Sequence, residues 1–433
     1  MDVQKAQKDI RKVLEGEEKI MSIKDDIKNY IRKGESDSQG LGLEIEHFVI
    51  NDKGEQIGFH EVSFLLEKMA EILHAKIIYM DGYPVGYITE GYSITLEPAC
   101  QFEISIDPYS DIDVISSVYK EFIDLWTPVL RSHGYHFETK GNLPLVEKGV
   151  IDPDEITLSP KKRYKFMDAY FRNSGKYGKY MMRASASTQV SVDFRSEEDL
   201  VRKLNILQKI SPILMIAMEN KTCPDSTLKD NPGKPHLFRI QEWDDLDSAR
   251  TGFYPGSFEP GFGYDSVADT IYHTPLILLT DNGETVDVGA DTAEDIFKNG
   301  LISENNLDAS RKQRLIEHFI SMGFFHFRVK KYIEIRVADS VPLDRALGYV
   351  ALLKGIVYSD RNLLKLEKEL SSIDSVDKVQ QAVEAVEVDG FDAEVYGKKA
   401  SVWATYLFEL AVSQLSESDK EYLENVRAFW GIS

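Results

Sequence analysis

The stretch Ser93-Ile94-Thr95-Leu96-Glu97-Pro98-Ala99-Cys100-Gln101-Phe102-Glu103-Ile104-Ser105 constrains the fold more than any other part of this chain. Its apolar residues recur with a period of two. Ile94 and Leu96 point one way, and Thr95 and Glu97 point the other. After a break at Pro98-Ala99-Cys100, Phe102 and Ile104 face the core while Glu103 and Ser105 face outward. Proline cannot donate to a sheet ladder, so this spacing predicts a strand that bulges or kinks at Pro98. Two carboxylates then share one face, and the kink aims both at a common point. Taken alone, the stretch also reads as an antiparallel strand with one solvated face. Its recurrence elsewhere changes the balance.

Three further segments repeat the pattern. A strand over Leu43–Ile50 carries Glu44 and Glu46 on one face, and one over Met182–Phe194 carries Arg183, Ser185, Ser187, Gln189, Ser191 and Asp193. A strand over Tyr332–Val337 sets Glu334 and Arg336 opposite Ile333 and Ile335. Solvated sheet faces usually mix Thr, Lys, Ser and Gln, whereas glutamates dominate here. If the strands are neighbours, five glutamates converge. Two bare carboxylates at ~4 Å repel by about 4 kcal/mol at an effective dielectric of ~20. Such a face either raises several pKa values or recruits hard cations. Oxygen ligands without a His/Cys set favour Mg²⁺ or Mn²⁺ over zinc, and Mg²⁺ usually bridges to phosphate. The chemistry that follows is phosphoryl transfer. There is no Gly-x-x-x-x-Gly-Lys-Ser/Thr loop, which excludes a P-loop fold.

A chain of 433 residues with 42% hydrophobic side chains buries a full core. Its net charge of −21 argues against nucleic acid and against an anionic membrane surface. Cys100 and Cys223 are too few for a disulfide framework and point to a reducing compartment. The first 32 residues hold no apolar signal-peptide core, and no run of 18 apolar residues exists. These features together predict a cytoplasmic protein. Helices are expected over 2–33, Phe64–Ala75, Ile112–Gly134, Leu200–Met218 and, after Pro342, over 343–359, 361–371, 375–386, 393–413 and 417–429. Residues 76–92 read as strand-rich, and Trp243–Thr270 reads as a long aromatic loop. The basic run Lys161, Lys162, Arg163, Lys165 is a candidate anion contact or a solvated helix face. Strands dispersed over 43–337 with helices between them predict one α+β domain.

Five segments, in this order, resemble glutamate–cysteine ligase of the plant-like branch. They are Gly42-Leu-Glu-Ile-Glu46, Leu96-Glu-Pro-Ala-Cys-Gln-Phe-Glu103, Arg183 with Thr188-Gln-Val-Ser-Val-Asp193, Trp243 with Arg250-Thr-Gly252, and Tyr332-Ile-Glu-Ile-Arg336-Val-Ala-Asp339. The resemblance runs over roughly residues 40–360. It implies a glutamine synthetase/guanido kinase-like fold: a curved, mainly antiparallel sheet whose concave polar face holds ATP, two or three Mg²⁺ and the amino acids. On this likeness residues 1–433 form a single ligase domain, with an N-terminal helix over 1–35, the catalytic sheet and loops over 40–340, and a helical region over 343–433.

The resemblance also implies site roles. Glu44, Glu46, Glu97, Glu103, Glu334 and Gln189 match the metal-ligand positions, and Arg336 matches the arginine that meets the transferred phosphate. Trp243 and Arg250 match the pair that recognises amino-acid substrates, and Arg183 matches a carboxylate contact. Two positions depart from the pattern. Ala99 and Cys100 replace paired glycines, and Ser185-Ala186-Ser187 replaces Thr-Cys-Thr. With two cysteines, the disulfide control of the plant enzymes is not expected. The implied reaction joins glutamate to cysteine through γ-glutamyl phosphate. The same chemistry with another amine acceptor, or a non-catalytic binding protein on the same fold, stays open at this point.

Overall fold

The computed structural model describes residues 22–304 and 307–430. Among them, nine strands build the main sheet: β1 (Leu41–Asn51), β2 (Lys76–Met80), β3 (Tyr83–Ile88), β4 (Tyr92–Leu96), β5 (Phe102–Tyr109), β6 (Tyr135–Glu138), β7 (Ser187–Val192), β8 (Phe327–Val329) and β9 (Ile333–Asp339). Their order is β8-β9-β7-β1-β5-β4-β3-β2, every pair is antiparallel, and β6 pairs with Phe48–Asn51 of β1. This is the expected α+β arrangement, with helices around a large antiparallel sheet and a helical C-terminal region.

Alternation along these strands splits the sheet into two faces. Leu43, Ile45, Ile94, Phe102, Ile104, Val190, Val192, Ile333 and Ile335 are all buried. Helices Ile112–Ser132, Glu197–Ala217 and Leu343–Val357 pack against the sheet. Trp126 meets Phe102 edge-on at 4.8 Å, and its indole N–H donates to the Tyr87 hydroxyl at 2.7 Å. Each buried aliphatic or aromatic side chain contributes roughly 1.5–3 kcal/mol, so the apolar face holds the sheet together. The other face is left free to carry chemistry.

Several sequence expectations are corrected. Residues 93–105 are not one bulged strand but a hairpin, in which Ile94 pairs with Ile104, Thr95 with Glu103 and Leu96 with Phe102. The Glu97 amide donates to the Gln101 carbonyl and the Cys100 amide to the Glu97 carbonyl, closing a turn with Pro98 inside it. Proline fixes φ as a turn requires and lacks the N–H a ladder needs, so the chain reverses at Pro98. The faces still come out as expected, because both arms keep their alternation.

The segment predicted as one strand over Met182–Phe194 opens as helix Gly178–Ala184, and β7 begins only at Ser187. The Ser185 hydroxyl bonds back to the Met181 carbonyl at 2.8 Å, where the helix ends. The long loop at 243–270 contains the end of helix Phe238–Asp244, the short strand Thr251–Gly252 and helix Tyr264–His273. Helix Phe59–Leu73 starts earlier than expected, and the helix expected from 393 starts at Ala400, after a two-residue hairpin. The hairpin Ile277–Gly289 carries no signal that alternation reading picked up. Of the predicted N-terminal helix, Ile23–Arg32 is helical, with Ile23 and Ile27 buried. Residues 2–21 lie outside the described residues.

Candidate active site

The polar face of the sheet is a row of paired functional groups. Arg328 on β8 lies opposite Glu334 on β9, and Glu334 opposite Ser191 on β7. Gln189 on β7 lies opposite Glu44 on β1, and Glu46 opposite Glu103 on β5. Glu97 joins from the hairpin turn. All of these side chains except Ser191 line one cavity of about 350 Å³, large enough for a small-molecule site. Helices Lys162–Ser174, Gly178–Ala184 and Phe238–Asp244 contribute its other walls, including Lys161, Arg163, Arg239 and Trp243. Alternating strands thus supply the acidic wall, while the helices and β8–β9 supply cations.

Hydrogen bonds fix the central groups. The Ser187 amide and hydroxyl donate to Glu46 at 2.7 and 2.9 Å, and the Gln189 amide Nε2 donates to Glu46 at 3.1 Å. Arg336 donates to the Gln189 side-chain Oε1 and, at 3.0 Å, to Glu334. The Glu44 and Glu97 carboxylates have no hydrogen bond or ion pair among the described residues. Glu103 accepts only from the hydroxyls of Thr95 at 3.1 Å and Ser105 at 3.4 Å.

Protonation follows this pattern. Burial, then the charges of Glu103 and Glu334, pushes Glu44 up to about 8. Burial and the charges of Glu97 and Glu46 push Glu103 up to about 8, and burial with Glu46 pushes Glu97 up to about 7. Glu46 also rises through burial, though the Ser187 bonds oppose it. Burial acts on Glu334 too, but Arg328, Lys330 and Arg336 outweigh it and hold that carboxyl well below the usual range. Lys161 is buried, bonds to the Leu96 carbonyl, and is lowered to about 8 by desolvation.

Among the described residues, no three His, Cys, Asp or Glu side chains stand close enough to hold a metal ion as they are. The donor chemistry of Glu44, Glu46, Glu97 and Glu103 still fits a hard cation, since these are oxygen acceptors with no ion pair. Glu334 does not fit in this state, because three cations already claim it.

The three residues expected to bind substrate separate. Trp243 lines the cavity, packs against Phe324 at 5.4 Å, and has an indole N–H that is buried without a partner among the described residues. Arg250 is fully buried outside the cavity wall, pairing with Asp247 at 2.8 Å, donating to the Met322 carbonyl and stacking on Tyr170. Arg183, on its helix, is bonded to Asp168 and to the Ile156 carbonyl. Asp193 caps the Gly40 amide at 2.8 Å, away from the cavity. Sequence reading missed Arg239, Arg328 and Lys330. Arg328 and Lys330 alternate with Phe327 and Val329 just before the Glu334 strand, a period-two signal that could have found them. Arg239 carries no such signal.

At the hairpin tip, Cys100 has φ 68°, the left-handed region that glycine prefers. The likeness noted from sequence expects a glycine in this motif. A non-glycine residue there carries some backbone strain.

Comparison with known proteins yields one pattern. Residues 40–407 match the model of glutamate–cysteine ligase family 2. The chain is 27% identical over 355 residues to chloroplastic glutamate–cysteine ligase of Medicago truncatula, covering 79% of this chain and 66% of that protein. It is 26% identical over 347 residues to the chloroplastic enzyme of Arabidopsis thaliana, covering 78% of this chain and 64% of that protein. The chain therefore spans just under two thirds of the length of these curated relatives. A solved glutamate–cysteine ligase from Francisella tularensis in complex with AMP shares the fold, with a TM-score of 0.50 at 15% identity, covering 92% of this chain and 82% of that one. The expected cytoplasmic location is overturned by the curated relatives, which are chloroplastic. Few cysteines and the absence, among the described residues, of a helix fit to cross a membrane do not separate one aqueous compartment from another.

Proposed function

This chain belongs to glutamate–cysteine ligase family 2, and we propose on that footing that it joins the γ-carboxylate of glutamate to the amine of cysteine, driven by ATP. The observation that carries this reading is the cavity in which an acidic sheet face looks onto a set of cations. A binding protein without catalysis has no use for opposed carboxylates that only weaken its sheet. In this reading residues 40–340 form the catalytic sheet with its loops, and 343–433 form helices behind it.

Glu44, Glu46, Glu97, Glu103 and Gln189 would hold Mg²⁺. When bound, the metal neutralises this wall and polarises phosphate oxygens. The γ-carboxylate of glutamate attacks the terminal phosphorus of ATP, giving γ-glutamyl phosphate and ADP. The amine then attacks the acyl carbon and phosphate leaves, so no protein nucleophile is needed. Arg336 supplies fixed positive charge where charge builds in the first step. Its guanidinium is held by Gln189, which is held by Glu46, which is held by Ser187. A donor pinned through three residues needs little reorganisation at the moment of reaction. Trp243 offers its free N–H to an amino-acid substrate. Arg183 and Arg250, committed to aspartates, act behind the wall and not on substrate.

Purified protein incubated with ATP, Mg²⁺, glutamate and single amino acids tests the reading. Phosphate release and a product of γ-glutamylcysteine mass with cysteine are expected. Release that depends on a different amine would transfer the activity to that acceptor, and no release with any amine would overturn it.

A further inference from the structure

Four of the five glutamates in the cavity lack an ion pair among the described residues. Glu334 is the exception. It is fully buried, and both of its oxygens are taken. Oε1 accepts from Lys330 Nζ at 2.6 Å, while Oε2 accepts from Arg328 Nε at 2.7 Å and an Arg336 terminal N–H at 3.0 Å. The backbone dictates this grouping: Arg328 stands directly across the β8–β9 ladder from Glu334, and Arg336 follows two residues later on the same face. Three cations on one carboxylate leave a surplus of positive charge inside a cavity. That is a seat for an anion carrying more charge and more oxygens than one carboxylate.

We propose that Arg328, Lys330 and Arg336 form a polyphosphate clamp which Glu334 occupies in the absence of nucleotide. The identity of the polyanion as a nucleoside triphosphate rests on the ligase reading above. Phosphate oxygens replace the Glu334 oxygens on the three cations, and the displaced carboxylate becomes free to ligate a metal. While both oxygens accept from cations, Glu334 has little to offer a second positive charge. Nucleotide and metal therefore strengthen each other's binding, and by linkage the effect is reciprocal. Arg328 and Lys330 gain a role as phosphate-binding residues, and Glu334 acts in turn as placeholder and ligand.

The test is binding of a non-hydrolysable ATP analogue in EDTA, where no metal takes part, with cooperative thermal melting as the check on each variant's fold. Glu334→Gln removes the internal competitor and is expected to tighten metal-free binding by about tenfold, because the clamp is no longer self-occupied. The double variant Arg328→Met, Lys330→Met is expected to lose that binding. Titrating nucleotide-free protein with Mn²⁺ and following it by electron paramagnetic resonance gives a second readout. There the double variant is expected to bind Mn²⁺ about tenfold more tightly than wild type, because Glu334 is released. Arg328→Gln alone gives the same direction if the double variant does not fold. Unchanged or weaker analogue binding in Glu334→Gln, or no gain in Mn²⁺ affinity on opening the clamp, would overturn the exchange. Failure of wild type to bind the analogue even with Mg²⁺ would instead overturn the ligase reading, and the Mn²⁺ arm would still decide whether Glu334 is held back.

Discussion

Glu46 and Glu103 stand directly opposite each other across the β1–β5 ladder, in register on one face and without an ion pair to either among the described residues. Like charges in direct opposition weaken an antiparallel pair. The repulsion is relieved by a proton on one carboxyl or by a counter-ion between them.

Removing one of the two therefore separates stability from function. Glu103→Gln is expected to raise the melting temperature of metal-free protein slightly, the gain being up to about 1 kcal/mol. Turnover should fall by roughly 10²-fold or more, as loss of one preorganised electrostatic group does. Calorimetry with and without Mg-ATP, beside an activity assay, reads both. Near-normal turnover would remove Glu103 from the metal set.

Stability should also depend on pH with a definite sign. Glu44 and Glu103 rise to about 8 and Glu97 to about 7 in the folded chain. Unfolded glutamate titrates near 4.3, so between that value and about 8 the unfolded state loses its protons first. The contribution of these groups is present below the unfolded pKa and lost as pH rises through the folded one. Metal-free protein should melt progressively lower from pH 5 to beyond pH 8, and Mg²⁺ should recover most at the alkaline end. Proton release on Mg²⁺ binding near neutral pH, read by calorimetry in two buffers, checks the same linkage. Glu334 works in the opposite sense and only at acid pH, since it is held down.

Arg250 is expected to matter for folding and not for substrate. Its removal leaves Asp247 facing a buried gap, and breaking such a pair costs about 3–5 kcal/mol. Urea unfolding of Arg250→Met should show that loss. If Arg250→Lys instead raises KM for an amino acid while stability holds, the substrate role implied by the resemblance returns.

The Trp243 indole N–H separates structure from recognition cleanly. It has no partner among the described residues, so Trp243→Phe loses no internal bond and should keep the melting temperature within a degree or two. A bond to substrate is worth about 0.5–1.5 kcal/mol, so KM for one amino acid should rise by roughly three- to tenfold while KM for ATP stays put. Equal rises for both substrates would assign Trp243 to packing.

Arg336→Ala should lower kcat by about 10²- to 10³-fold. Positional isotope exchange in ATP, with glutamate present and the amine absent, should occur in wild type and vanish in the variant. Normal turnover would reduce Arg336 to an ion pair with Glu334.

Much of the acidic wall was legible because a period of two marks a two-faced strand whatever its neighbours are. Glu44, Glu46, Glu103, Gln189 and Glu334 reach the cavity for that reason. Chain reversal is a different kind of information: Pro98 forbids a ladder but does not say whether the chain kinks or turns back. Arginine partners are harder still. Arg183 meets Asp168 across two helices, and Arg250 meets Asp247 three residues away, and nothing in their spacing distinguishes a buried pair from a substrate contact. Arg328 and Lys330 had a pattern, but three residues of β8 are too short to stand out.

The order of strands in the sheet differs from their order in the chain, and that sets a schedule. β1 lies between β5 and β7, whereas the clamp arginines and Lys330 belong to β8, β9 and the turn between them, near the far end of the sheet's sequence. A chain growing from its amino end displays Glu44, Glu46, Glu97 and Glu103 long before Arg328, Lys330 and Arg336 are synthesised. The β7–β9 pairing joins segments far apart in sequence, the kind of contact that forms slowly. An unfinished chain thus holds the acidic strands without the three cations that group around Glu334. In the proposed reading the clamp is complete only when β9 docks against β7.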